Sequence, residues 1–168
     1  MNTITHTERL IIRQLTLGDT GFIIELLNSP GWLKFIGDRN VHNTDDALNY
    51  LTNGPLKSYA EHGFGLYLVA TKTDDTPIGM CGILKRATLN NPDIGYALLP
   101  GFAGMGYAYE MANAVLKHAQ HDLKLPVISA ITLPGNTSSV KLLGKLGLHN
   151  KGLFVAEDSK ETLLLFQN

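Results

Sequence analysis

Three glycines in six positions, Gly101, Gly104 and Gly106, interrupt the stretch "DIGYALLPGFAGMGYAYEMANAVLKHA" (93–119), which passes from an apolar strand-like run into a helical pattern. A helix begun in this way leaves its first N–H groups without partners, at the positive end of its dipole. Bare backbone there lets an anion such as a diphosphate approach the amides, although the same glycines would also serve a tight turn with close helix–sheet packing. Two phosphate-binding patterns are disfavoured. A triphosphate-binding loop needs Gly-Lys-Ser/Thr, which is missing from the chain, and the dinucleotide fingerprint needs a glycine where Tyr109 stands and an acidic residue about twenty positions on.

The elements that must carry this turn are legible in outline. "RLIIRQL" (9–15) reads as a strand, followed by a helix with Phe22, Ile23, Leu26 and Leu27 at helical spacing, capped by Thr16 and stopped near Pro30. A second helix starts at Thr44, breaks at "NGP" (53–55) and resumes to about His62. "GLYLVATK" and "PIGMCGILKR" form a hairpin through "TDDTP", with 93–99 as a third member of the sheet. A helix over about 105–122, a strand "PVISAIT" (126–132), a short helix "NTSSVKLLGKLG" (136–147) and a terminal hairpin "GLFVAEDSKETLLLF" complete the chain. The helix of 105–122 links two strands that should run parallel, so the expectation is an α/β fold with a mixed sheet.

Bulk properties narrow the function. At 168 residues the chain suits one domain, 1–168, and its 14 basic against 15 acidic residues argue against a nucleic-acid partner. No apolar run reaches membrane-spanning length and the start "MNTITHTERL" is too polar for a signal peptide, so no membrane partner and a cytoplasmic location are expected. Cys81, the single cysteine, excludes an internal disulfide and sits in an apolar run where a buried, inert thiol is expected. His118 and His121 read as an exposed helix end, so no metal is expected.

Three segments carry a resemblance. "TERLIIRQLTLGD", "IGYALLPGFAGMGYAYE" and "LPGNTSSVKLLGKLGL" occur in order. They resemble the signatures of the GNAT superfamily of N-acetyltransferases, and within it the branch of the ribosomal-protein N-terminal acetyltransferases RimJ and RimL. The resemblance implies a GNAT fold, with a mixed, mostly antiparallel sheet, a central splayed parallel pair and flanking helices. It implies acetyl-CoA as co-substrate, with its pyrophosphate on the amides of Gly104, Met105, Gly106, Tyr107, Ala108 and Tyr109. The main chain of Tyr96, Ala97 and Leu98 would pair with the pantetheine arm, Leu98 would offer an N–H to the thioester carbonyl, and Asn136 would bond the arm from the other side. Two positions depart from the pattern. Ala103 stands where the family carries Gln or Arg, and Leu148 replaces a phenylalanine.

The same comparison implies direct attack of an amine on the thioester. An N-terminal α-amine, with a pKa of roughly 7.7–8.0, needs only modest help to lose its proton. Asp93, where some relatives carry a glutamate, is the first candidate base, acting through a water, with a solvated strand-start carboxylate as the alternative; Glu157 and Asp158 are weaker candidates. The tyrosine that many relatives use as thiolate donor is Leu143 here, so Ser139 inherits that role, against an early-helix cap. Lys141 and Lys145 are placed to meet the 3′-phosphate of CoA, with a solvated face as the alternative, and Trp32, Phe35 and Asp38 fall where the branch builds its acceptor cleft, with a core anchor as the alternative for Trp32. The expected acceptor is a protein or peptide N-terminus; a small amine and a non-catalytic acyl-CoA binder are the alternatives. The assembly is expected to be a monomer or a homodimer.

Overall fold

The computed structural model describes residues 2–157 and 159–168. Eight strands form one sheet in the order β1-β2-β3-β4-β5-β6-β8-β7. They are β1 (Thr3–His6), β2 (Leu10–Gln14), β3 (Leu66–Thr71), β4 (Pro77–Leu84), β5 (Asp93–Leu98), β6 (Ser129–Thr132), β7 (His149–Val155) and β8 (Thr162–Gln167). The helices are α1 (Thr20–Leu27), α2 (Pro30–Phe35), α3 (Thr44–Leu51), α4 (Lys57–His62), α5 (Tyr107–His121) and α6 (Thr137–Lys145). β3 and β4 are almost continuously buried because helices cover both sheet faces, which is why they read as apolar runs rather than alternating ones. α5 packs Met111, Ala112, Val115 and Ala119 onto Leu10 and Ile12 of β2 and the neighbouring strands. On the opposite face α1 and α3 bury Ile23, Leu26 and Leu51 against Leu68, Ala70 and Met80.

Several sequence expectations change in detail. The break at 53–55 does not occur: α3 runs into α4 through a π-helical turn, Thr52–Leu56, that contains Pro55. Proline lacks the N–H of an ordinary turn, and one wider turn accommodates it without ending the helix. Pro30 lies just past the end of α1, as expected, and also opens a further helix, α2, at its first turn, where a missing N–H costs nothing; this carries Trp32 into the core at 6% exposure. β1, four residues long, went unread because it is short and polar.

All strand neighbours are antiparallel except β5 and β6, which run parallel. These two pair only at Asp93 and Ser129, with Ser129 N–H donating to Pro92 O at 2.8 Å. Beyond that point β5 stays bonded to β4 as far as Leu98, while β6 stays bonded to β8. The expected splay is therefore present, and it opens a gap in the middle of the sheet.

Candidate active site

The gap is edged by main chain. Leu99 N–H donates to Ile78 O at 2.8 Å, and along an antiparallel ladder the bonded direction alternates. Tyr96 and Leu98 therefore turn their N–H and C=O groups away from β4 and into the gap. Ala97 turns its main-chain groups to β4, so of the three β5 residues expected against the arm it contributes none of those groups. Across the gap, Asn168 N–H bonds Ile128 O at 3.3 Å, and the same alternation leaves Ser129 and Ile131 facing β5. Unpaired strand edges of this kind accept an extended ligand as an added strand.

β5 leads through residues 99–106 to α5, and here Gly104 and Gly106 have φ of +75° and +81°. Residues with a Cβ are disfavoured in that region, so the glycines set the chain's path. Gly106 caps α5 without any side-chain partner. Among the described residues the amides of Gly104, Met105, Gly106, Tyr107, Ala108 and Tyr109 donate to no group; the first to bond back is Glu110 N–H, to Gly106 O at 3.1 Å. Six unpartnered donors, on exposed or half-exposed residues, thus follow one another at the positive end of a fifteen-residue helix, an arrangement suited to a diphosphate. Lys141 and Lys145 are both exposed, and Lys145 Nζ lies 5.2 Å over the Tyr109 ring beside this loop.

The loop is held from behind by the β1–β2 turn. Arg9 Nη1 donates to Met105 O at 3.0 Å and Arg9 Nε to Glu110 Oε2 at 2.7 Å. Glu110 Oε1 accepts from Arg9 N–H and from the Thr7 hydroxyl, and the Arg9 guanidinium stacks 4.2 Å from the centre of the Tyr107 ring. Burial pushes the Glu110 carboxyl up, but these donors outweigh it and hold it below the ordinary glutamate range. Arg9 and Glu110 lie inside two of the resembling segments, yet they are 101 residues apart and their pairing has no sequence signal.

Tyr96 points toward the α5 side, and its hydroxyl lies 2.7 Å from Ser139 Oγ. Burial pushes the Tyr96 phenol up to about 12, opposed by the Ser139 hydrogen bond, so Tyr96 stays protonated at neutral pH. Ser139 is 9% exposed. Asn136 Oδ1 caps α6 by accepting from Ser139 N–H at 3.2 Å, which leaves the Asn136 Nδ2 without a partner among the described residues. Leu143 is buried in the core. Sequence reading took Tyr96 only for its main chain, and its hydroxyl is the group that was missed.

Asp93 is not solvated. It is 1% exposed at the closed end of the gap, and Arg86 Nε donates to both of its oxygens at 3.0 Å. Burial pushes its carboxyl up, with the Arg86 charge and hydrogen bond opposing. Asp93 shares a sheet face with Gly95 and Ala97, opposite to Tyr96. Arg86, seven residues earlier in a loop, was not singled out from sequence. Glu157 is exposed, and Asp158 lies outside the described residues. His118 is not an exposed helix end: its side chain is 12% exposed and its Nδ1 lies 2.7 Å from Asp122 Oδ2. Among the described residues no group of three or more His, Cys, Asp or Glu is placed to hold a metal ion. Cys81 is buried, and burial pushes its thiol far up, as expected for an inert group. No described helix is long and apolar enough to cross a membrane.

Comparison with known proteins agrees with this geometry. Residues 9–149 match the family model described as acetyltransferase (GNAT) domain. An uncharacterized N-acetyltransferase, p20, of Bacillus licheniformis is 28% identical over 152 residues, covering 88% of this chain and 83% of its own. An acetyltransferase of Agrobacterium tumefaciens superposes with a TM-score of 0.83 at 23% identity, covering 100% of this chain and 94% of its own. RimL, a ribosomal L7/L12 alpha-N-protein acetyltransferase in complex with coenzyme A, superposes with a TM-score of 0.84 at 14% identity, covering 99% and 97%. A match over that much of the sequence, joined to a splayed sheet and an unpartnered helix mouth, places the chain in the GNAT family of acetyl-CoA-dependent N-acetyltransferases.

Proposed function

We propose that the chain moves acetyl from acetyl-CoA to the α-amine of a protein or peptide by direct attack in a ternary complex. The observation that carries this reading is the set of six unpartnered amides at 104–109, set beside a gap whose edges offer main-chain groups. The diphosphate sits on those amides, and the pantetheine arm enters the gap past Leu98 and Tyr96, with Asn136 Nδ2 donating from the other edge. The fold shared with RimL, a protein acetyltransferase by its description, supports the choice of acceptor.

In the reaction the amine lone pair forms a bond to the thioester carbon, and the carbon–sulfur bond breaks. Main-chain N–H groups of β5 stabilise the oxygen as its charge grows. Sulfur leaves toward the Tyr96–Ser139 hydroxyl pair and takes its proton from Ser139 as Ser139 takes one from Tyr96, and solvent returns the proton to Tyr96 once the products leave. The amine arrives on the opposite face and gives its proton, through water, to Asp93. Asp93 lies three strand steps before Tyr96, about 10 Å, which is too far for direct transfer and fits a water relay.

Asp93→Asn should lower kcat/KM about tenfold at pH 7 and recover in part by pH 9, where an α-amine deprotonates unaided. A pH–rate profile checks this; an equal loss at both pH values would make Asp93 a fixture for Arg86 instead of a base. The acceptor is tested by incubating the protein with acetyl-CoA and pooled peptides or small amines, following free thiol and product mass. Acetylated peptide N-termini are expected, and acetylation confined to small amines would overturn the acceptor assignment.

A further inference from the structure

From the contacts behind the glycine loop we infer that Arg9 is a positioning residue for the coenzyme's diphosphate: it sets the orientation of the amides that receive it. The inference rests on the reading that the diphosphate occupies the 104–109 amides. Arg9 is itself turned away from that role as a direct ligand, because three of its donors are committed to Met105 O and Glu110.

The C=O and N–H of one peptide unit are fixed in a plane and point in opposite directions. By holding the Met105 carbonyl on its own side at 3.0 Å, Arg9 turns the Gly106 N–H the other way, out of the loop. Both flanking glycines have positive φ, and glycine flips between backbone conformations with little resistance. A loop built from them needs an external tie if its donors are to be aimed before the ligand arrives. The guanidinium fork supplies the tie at one point, and the stack on Tyr107 at 4.2 Å supplies another.

Arg9 also settles a conflict of charge. Glu110 lies in the first turn of α5, where a carboxylate suits the helix dipole but repels an arriving diphosphate. The pair to Arg9 Nη2 at 2.7 Å cancels that repulsion. Stability alone does not account for the arrangement: the Arg9 side chain is 42% exposed, and ion pairs so open to water contribute little to folding.

The test titrates CoA by calorimetry, and pantetheine, which lacks the diphosphate, by NMR, into wild type, Arg9→Ala and Arg9→Lys. Wild type should bind CoA at least tenfold tighter than pantetheine. Arg9→Ala should lose about tenfold in CoA affinity and less than twofold in pantetheine affinity, with the Gly106 amide resonance already displaced in the ligand-free protein. Arg9→Lys keeps the charge but not the planar fork, so it should remain at least fivefold weaker than wild type for CoA, and it gives the same comparison if Arg9→Ala melts early. CoA affinity within twofold of wild type in both variants would overturn the inference while leaving the diphosphate seat standing. Wild-type protein that binds CoA no tighter than pantetheine would overturn the seat itself.

Discussion

Ser139→Ala is expected to lower kcat about a hundredfold while acetyl-CoA affinity stays within about threefold of wild type. General acid catalysis contributes roughly 10² to 10⁴ in rate. A thiol, with a pKa near 8.5 in its unperturbed form, is a good leaving group, which places the expected loss at the low end of that range. Ser139 Oγ lies 2.7 Å from the Tyr96 hydroxyl, and Tyr96, with a phenol pushed up to about 12, keeps its proton and can pass it on. Tyr96→Phe should therefore slow turnover too, by about tenfold, since Ser139 retains a proton of its own. Affinity should survive in both variants because, on the proposed reading, main-chain groups and Asn136 Nδ2 hold the diphosphate and the arm, not these hydroxyls. Steady-state kinetics with an independent calorimetric titration checks the split; a fall in affinity matching the fall in turnover would mark Ser139 as a part of α6's first turn and nothing more.

Asp19→Ala is expected to cost about 3 kcal/mol, the low end of what breaking a buried pair costs. For a chain of this size that corresponds to a melting temperature lower by about 6–12 °C. Arg13 Nη1 and Nη2 reach the two Asp19 oxygens at 3.0 and 2.9 Å, with side-chain exposures of 10% and 11%. Arg13 Nε is already buried without a partner, so removing Asp19 strands a charge whose one remaining acceptor among the described residues is the neutral Gln14 carbonyl, 3.0 Å from Nη1. Asp19 also closes the capping box with Thr16 at the entry to α1. Burial pushes its carboxyl up, but Arg13 and the Thr16 donors outweigh this and hold it below the ordinary range. A carboxyl lowered in the folded state adds stability above its unfolded pKa, roughly 3.9, and that contribution fades as pH falls through the folded value. The gap between wild type and Asp19→Ala in thermal melts should thus be full at pH 7 and shrink below about pH 4. A gap that persists unchanged in acid would contradict a contribution from the charged carboxylate, to Arg13 and to the Thr16 cap alike.

Much of the fold was written in local pattern. The runs at 66–71 and 77–84 are apolar on both faces because both faces are covered, and the α5 stripe of Met111, Ala112, Val115 and Ala119 repeats with the helix. Where the chain is short or unusual, pattern failed. Four residues of β1 carry no periodicity, and a π-helical turn around Pro55 looks like a break when only ordinary turns are considered. The site divides in the same way. Gly104 and Gly106 announce a bare helix mouth by their type, and Asn136 and Ser139 announce a capped helix by their spacing. Pairings across the fold announce nothing. Arg9 with Glu110, Arg86 with Asp93, and the Tyr96 hydroxyl with Ser139 depend on which strands and turns come together. The two arginines of "TERLIIR" turn out to serve separate duties, one behind the glycine loop and one beneath α1.

The most direct measurement of the central claim is an NMR titration of CoA into ¹⁵N-labelled protein, following the amides of Gly104 to Tyr109. The account predicts that these six resonances move together, saturably, and further than amides elsewhere in α5, as the diphosphate fills donors that now lack partners. CoA that binds without moving them, or that does not bind at all, would contradict it.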